Sequence, residues 1–461
     1  MRKRLLFMGI GSVFAVAGLF AEVRKIPVDE AVKMAIESNL SLESARISLD
    51  TKKRKNDLKW NEFIPALGVT GSLVRDNEAA AVSGVAPVPL GGGGVYGVVP
   101  YSVDAPQWHI AGNLSASITI VTALFEGLKN YRLDYEAGVL SYEKAKAQME
   151  RDLRKLYHNI LLAEENLRLQ REKYAAAERQ ETQAQANYRA GLAPELQYLQ
   201  AQVAKENLKP QIDEAENNVR LVKANFAFTI GLPYDTEIEL VPLAGEFTPV
   251  PLEVARLIAD ASRNKPDILE LRQTLLVAQS GRKAQALQAR TPYLDLRWNM
   301  QRAFTGDPWK DSWGDGGLWS KSGSFTITLG MTFNGLVPWF KESQALKDTD
   351  NQIAGLNVNL AQLIRGTEIE VYNTCLTLAK TEASVEAMRR NVELAERSYQ
   401  STETAYRNGL QTLLEVQNAA NQLQEARLGV MSQRVSYLNG LIDLEYTLGV
   451  PFGTLSRGEE E

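Results

Sequence analysis

Residues that usually carry chemistry are scarce in this chain. It has one cysteine, Cys375, and two histidines, His109 and His158, in 461 residues. A single cysteine forms no internal disulfide, and with so few ligands no zinc cluster of ordinary spacing assembles. Cys375 reads as a small buried residue on a helix. Gly91 to Gly94 lack the lysine and following helix of a phosphate loop. Acidic pairs such as Glu164-Glu165 read as solvated helix faces rather than acid/base couples. The chain is therefore expected not to be an enzyme, and no cofactor or metal site is expected. Beyond residue 20 no run approaches 18 uninterrupted apolar residues, which excludes a transmembrane helix. A net charge of −5 argues against nucleic acid as a partner. Proline is missing from the 112 residues between Pro338 and Pro451, leaving room for very long helices.

Residues 1–21 have the layout of a secretory signal. Arg2, Lys3 and Arg4 precede an apolar run from Leu5 to Phe20, and Ala21 offers a small residue for cleavage. At about 16 residues that run is short for a membrane span. No cysteine follows it, so lipidation of a new N-terminal Cys is excluded.

Two turns of sequence recur in one register. Tyr188-Arg189-Ala190-Gly191-Leu192 returns as Tyr406-Arg407-Asn408-Gly409-Leu410, an offset of 218 residues. Thr229-Ile230-Gly231-Leu232-Pro233 returns at the same offset as Thr447-Leu448-Gly449-Val450-Pro451. Two markers without a gap between them indicate a tandem duplication. The expected organisation is a signal at 1–21, a first repeat over 22–245 and a second over 246–461.

Each repeat opens on a helical segment, from Val28 to Trp60 and from Leu252 to Arg290, the latter broken at Lys265-Pro266. At Pro65 and Pro292 the apolar period changes to two. Four segments then alternate, around Leu67–Leu73, Asn113–Ile120, Leu294–Gln301 and Phe325–Asn334. Such segments fit strands crossing a bilayer, lipid on one face and water on the other. The alternative is a half-buried sheet in a soluble protein, which alternation alone favours. All seven tryptophans lie in or beside the strand regions and none in the long helices, which turns the balance towards membrane strands with an interfacial belt. The stretches Asn77–Gln107 and Phe304–Gly323 read as loops on the outer side.

A very long helix follows each strand pair. Val139 to Ala190 and Thr367 to Asn408 contain no glycine or proline. With flanking sequence, each is expected to reach some 60 residues, or about 90 Å. Apolar steps of three and four, as in Leu153, Leu156, Ile160, Ala163 and Leu167, indicate coiled-coil packing. Gly191 and Gly409 should reverse the chain into return helices, the first interrupted at Pro210. Four strands cannot close a membrane barrel, and open edges in lipid would leave amides unpaired, so membrane strands demand an oligomer. Two copies would supply 8 strands and three would supply 12, and the pattern does not choose between them.

The duplication, the helix–Pro–strand junctions, the strand exits Leu124-Phe125-Glu126-Gly127 and Trp339-Phe340, and the paired Tyr-x-x-Gly turns together resemble the TolC family of outer-membrane efflux proteins. The resemblance covers nearly the whole mature chain. It implies a mainly α fold with a small membrane β part: a homotrimer whose 12-stranded β-barrel continues as a 12-helix α-barrel in the periplasm. It implies an outer-membrane location and docking to a periplasmic adaptor protein and an inner-membrane pump. By the same resemblance, Tyr188, Arg189, Gly191, Leu192, Tyr406, Arg407, Gly409 and Leu410 form the adaptor-docking tip. The family often carries two acids that form a cation-binding constriction past the second turn; the matching positions are Glu415 and Asn418. Gln197 matches them after the first turn, and Gln411 stands where the family often has a basic residue bracing the closed state. Away from the resemblance, Glu415 reads as a solvated helix carboxylate and the two tyrosines equally as helix-end packing. The expected function is a passive exit duct of an efflux or type I secretion system. A structural or adhesive surface protein with coiled-coil rods is the competing class.

Overall fold

The computed structural model describes residues 24–78, 81–89, 96–104, 107–242 and 248–455. The signal segment, Gly91 to Gly94 and the junction expected between residues 245 and 246 lie outside the described residues. The first half runs β1 (Arg24–Ile26), α1 (Val28–Ser38), α2 (Leu40–Asp57), β2 (Ala66–Arg75), β3 (Ala81–Pro89), β4 (Tyr96–Asp104), β5 (Trp108–Val121), α3 (Ala123–Arg189), α4 (Glu195–Glu206), α5 (Lys209–Thr229) and β6 (Ile238–Leu240). The second runs α6 (Val254–Asn264), α7 (Pro266–Arg290), β7 (Tyr293–Phe304), β8 (Trp319–Gly330), α8 (Lys341–Arg407) and α9 (Leu413–Leu448). Elements repeat in the same order, apart from β1, β6, the β3–β4 hairpin and the break between α4 and α5, which belong to the first half alone among the described residues.

Both long helices have 67 residues, more than the glycine-free stretches suggested. Gly127 and Gly138 lie inside α3, and Gly355 and Gly366 inside α8. An interior glycine costs a helix roughly 1 kcal/mol, which packing readily offsets. At Gly138 an added Cβ would come within 2.8 Å of the Lys52 side chain, so the missing side chain lets α2 lie close on α3.

The compact units do not follow the halves. One unit gathers residues up to Ile47, Ser141–Leu269 and Gln362 onward; the other gathers Ser48–Leu140 and Glu270–Ala361. Within the first unit sit two cores that occupy the same register of the duplication. Leu153, Tyr157 and Ile160 of α3 pack with Phe226 and Ile230. At the 218-residue offset, Val371, Cys375 and Leu378 of α8 pack with Leu444 and Leu448. Large and small residues are exchanged between the copies: Tyr157 corresponds to Cys375, and Val219 to Tyr437. In both cores the tyrosine hydroxyl reaches a linker backbone. The Val241 N–H donates to Tyr157 at 2.9 Å, and the Val250 N–H donates to Tyr437 at 3.0 Å. Cys375 is buried, as expected, and burial pushes its thiol pKa up. A short parallel pairing of β1 with β6, invisible to the period analysis at three residues each, closes the first core through Ile26, Ile238 and Leu240.

Apart from the two-stranded β3–β4 hairpin, the second unit holds a four-stranded antiparallel sheet in the order β2-β5-β7-β8. Its four strands are the four alternating segments, with Met331 to Asn334 falling beyond the end of β8. Helices in this unit are tied by Lys52 to Asp134 at 2.9 Å and by Arg282 to both carboxylate oxygens of Asp350 at 2.8 and 2.9 Å.

Channel sheet and candidate entrance

Register separates the two faces of the sheet completely through its middle. Thr70, Asn113 and Gln301 stand side by side, and so do Ser115, Asn299 and Ser324. The next row joins Ser117, Arg297 and Thr326, and the next Thr119, Asp295 and Thr328. The opposite face carries Leu67, Val69, Leu114, Ile118, Leu296, Trp298, Phe325, Ile327 and Leu329 in the alternate rows. Leu67, Val69, Phe325, Ile327 and Leu329 are all exposed on the single chain, an apolar face that water alone does not suit. On the polar face the Thr119 hydroxyl donates to Asp295 at 2.9 Å, with Arg297 at 3.7 Å from the same carboxylate. Strands β2 and β8 each keep one unpaired edge.

Both hairpin tips close by the same backbone device. The Leu192 N–H donates to the Asn187 carbonyl at 2.8 Å and the Gly191 N–H to Tyr188 at 2.9 Å. In the second copy Leu410 donates to Ala405 and Gly409 to Tyr406, both at 2.9 Å. This paired closure needs a left-handed residue, and Gly191 and Gly409 supply it at φ 73° and 72°. Around the tips, Ala184 of α3, Ala201 of α4 and Leu413 of α9 form a small buried cluster, with Tyr406 packed on it. Burial raises the pKa of Tyr406. Tyr188 is 41% exposed and stacks on Tyr198, ring centroids 6.2 Å apart. Arg407 pairs with Glu403 one turn back at 3.0 Å, and Arg189 is exposed. Leu192 and Leu410 stand out most, at 79% and 77% exposure.

The second return helix starts on a capping box. The Thr412 N–H donates to Glu415 Oε2 at 2.7 Å, and the Glu415 N–H donates back to Thr412 Oγ1 at 3.4 Å. The Thr412 hydroxyl adds a bond of 2.9 Å to Oε2. These bonds, from the Thr412 backbone and then its side chain, hold the Glu415 carboxyl below its usual range. With its nitrogen turned inward, the Gln411 amide donates to Glu415 Oε1 at 2.8 Å. Gln411 and Glu415 are thus brought together, and Asn418, exposed, follows three residues further along α9. Gln197 is exposed on α4, where Pro194 occupies the cap without a side-chain bond. No hydrogen bond or ion pair joins Gln197 to the other three among the described residues. The spacing Thr412-x-x-Glu415 announces a capping box in the sequence, and Thr412 is the site residue that the family resemblance passed over.

Among the described residues no group of three potential metal ligands occurs and no helix is apolar enough to cross a membrane. The sequence matches the family described as outer membrane efflux protein over residues 31–231 and 257–450. No curated protein matches it. Among solved structures it is similar to the Campylobacter jejuni CmeC outer membrane channel, at 16% identity and TM-score 0.69, over 92% of this chain and 85% of that one. The Vibrio cholerae outer membrane protein VceC superimposes with TM-score 0.68 at 14% identity, over 92% and 96% of the two chains. The open state of the Neisseria gonorrhoeae MtrE outer membrane channel gives 0.66 at 17%, over 92% and 89%. Two of the three are described as outer membrane channels and the third as an outer membrane protein. The two-faced sheet lies in the outer membrane and the helical part in the periplasm, and the protein belongs to the outer membrane efflux protein family.

Proposed function

We propose that three copies of this chain form a passive exit duct that receives substrate from a periplasmic adaptor and an inner-membrane pump. The observation that carries this reading is the open four-stranded sheet with one polar and one apolar face. Unpaired edges in hydrocarbon cost several kcal/mol per group. Pairing β8 of one copy with β2 of the next removes both edges of every copy. Three copies give about 12 strands, wide enough for water between polar faces, whereas about eight would be filled by side chains. The repeats that build each copy are taken as 22–245 and 246–461.

Exposed Leu192 and Leu410, with Tyr188 and Arg189 beside the first turn, supply the surface for the adaptor. Tyr406 and Arg407 support it from behind, through the buried cluster and the Glu403 pair, and Gly191 and Gly409 set the turns. Glu415 with Asn418, Gln197 and Gln411 forms the entrance constriction. Lateral bonding of Glu415 to Thr412 and Gln411 makes it a fixed charge rather than a swinging one. Only one carboxylate per copy remains there, so the ring is weakly cation-selective.

The purified mature protein in detergent should run as a trimer by light scattering and conduct ions in planar bilayers. A monodisperse monomer without detergent, or a trimer that never conducts, would overturn the duct and favour a surface spacer.

A further inference from the structure

One row of the apolar sheet face departs from the rest. Reading across the strands, it consists of Gly71, Gly112, Arg302 and Lys321. Arg302 shares its face with Leu296, Trp298 and Met300, and Lys321 shares its face with Phe325 and Ile327. Both cations therefore belong to the side turned towards lipid. They are directly opposite each other in the ladder, and like charges so placed repel. Neither is joined to a carboxylate by an ion pair among the described residues. Both are exposed.

The level of this row in the membrane is set by geometry. Arg302 lies eight residues beyond Leu294, about 27 Å along a strand at 3.4 Å per residue. With a tilt of about 40° that is roughly 21 Å along the membrane normal, near the edge of an apolar band about 25 Å tall. The strand ends next to Arg302 and Lys321 lead into the β7–β8 loop, while the opposite ends lead to α7 and α8. Because the helices are periplasmic, the row faces the outer leaflet at headgroup depth.

Its neighbours leave a seat beside the charges. An added Cβ at Gly71 or Gly112 would meet nothing within 4 Å, so bare backbone flanks Arg302. Above it, Phe304 is 1% exposed and covered by Trp313 and Trp319, which walls the row on its outer side.

We propose that Arg302 and Lys321 bind the phosphate of an anionic lipid headgroup in the outer leaflet, the acyl chains lying over Gly71 and Gly112. A phosphate between the two cations turns their repulsion into a pair of charge-assisted contacts, with the guanidinium donating through its fork. Long side chains at this depth reach a headgroup without leaving the apolar face. The alternative arrangement, cations that simply snorkel into water, needs no phosphate and no particular lipid. This inference rests on the sheet being in the outer membrane.

The test uses the full mature protein in detergent, delipidated and titrated with a phosphorylated glycolipid in the presence of a chelator, with bound lipid counted by native mass spectrometry. The phosphorylated lipid should be retained about tenfold more tightly than the same lipid with its phosphates removed. The double variant Arg302→Gln/Lys321→Gln should lose that preference while remaining an intact trimer by light scattering, and Lys321→Arg should keep it. Equal retention of both lipids, or an unchanged preference in the double variant, overturns the site. Displacement by millimolar inorganic phosphate shows a free-anion site and overturns the lipid assignment. If the double variant fails to assemble, each single glutamine variant carries the comparison, and an unchanged preference in both overturns the proposal. A chain soluble as a monomer without detergent would instead sink the membrane reading beneath it, a different result from any of these.

Discussion

Single residues do distinct work at the four glycine stops. All four lie in the left-handed region, yet their surroundings differ. An added Cβ meets nothing within 4 Å at Gly191 or Gly409, but comes within 2.3 Å of Ser38 at Gly231 and 2.4 Å of the Asn264 carbonyl at Gly449. The tip glycines serve conformation alone, and the other two also let helix ends meet. Past the second tip, Thr412 and Glu415 hold each other. The folded-state pKa of Glu415 is depressed, so its contribution is present above the usual glutamate value and is lost as pH falls through the folded value. Hydrogen exchange by mass spectrometry should show the first turn of α9 losing protection as pH drops from neutral into that range, after correction for intrinsic rates. Thr412→Ala removes only the hydroxyl bonds and leaves the backbone N–H bond to Glu415, so it should shrink that pH response without abolishing it and weaken the turn by about 1 kcal/mol at neutral pH. Equal protection at both pH values in the native protein would show that the box does not hold the turn.

At the scale of elements, most of the architecture was legible and the exceptions have physical causes. Alternation located β2, β5, β7 and β8 because each has one face in lipid and one in water. The β3–β4 hairpin was read as loop. Its strands carry Pro87, Pro89 and Pro100, and valines on both faces, so neither period nor composition marks them. Prolines are tolerated there because both strands are edges, and they also block strand addition from outside. Tyr101 stands opposite Gly84 and lies over it, filling the place of the missing side chain. The break at Asn39 was equally hidden, since no proline marks it. The Asn39 side chain accepts from the Ser41 N–H at 2.9 Å and starts α2 itself. Pro210, by contrast, announced the α4–α5 break, and the register shows what the proline does. Its counterpart at the 218-residue offset is Leu428, inside the unbroken α9. Asn207 and Leu208 keep nearly helical angles, with φ of −68° and −84°. A missing amide donor at Pro210 is the chief obstacle to fusion. Pro210→Ala should therefore join α4 to α5, seen as added exchange protection over residues 203–214. No gain would place the cause in packing instead.

For the whole molecule, duplication explains why two unlike tips coexist. The first return helix begins at Pro194 and ends its first turn with Gln197, while the second begins at Thr412 and carries Glu415 and Asn418. Of the four residues proposed for the entrance the one acid, Glu415, comes from the second repeat, while Glu195 is the exposed acid in the first turn of α4, and in a trimer each position is multiplied by three. For the residues proposed at the entrance, the family resemblance supplied only their places just past the turns. The lateral bonding of Glu415 was carried by the local sequence Thr412 to Glu415, which that resemblance did not weigh. If Glu415 lines the entrance as proposed, its ring of three fixed carboxylates is weakly cation-selective, and a second ring one turn along the helix should raise that selectivity by electrostatic addition. Asn418→Asp adds three charges without touching the capping box, since Asn418 is exposed and outside its bonds. Reversal potentials in a salt gradient should shift towards the cation potential in this variant. The shift should shrink as ionic strength rises past about 0.15 M, where screening acts within roughly 8 Å. Glu415→Gln should move the native channel the opposite way. If neither substitution changes the reversal potential, position 418 does not face the conducting path and the constriction is formed by other residues.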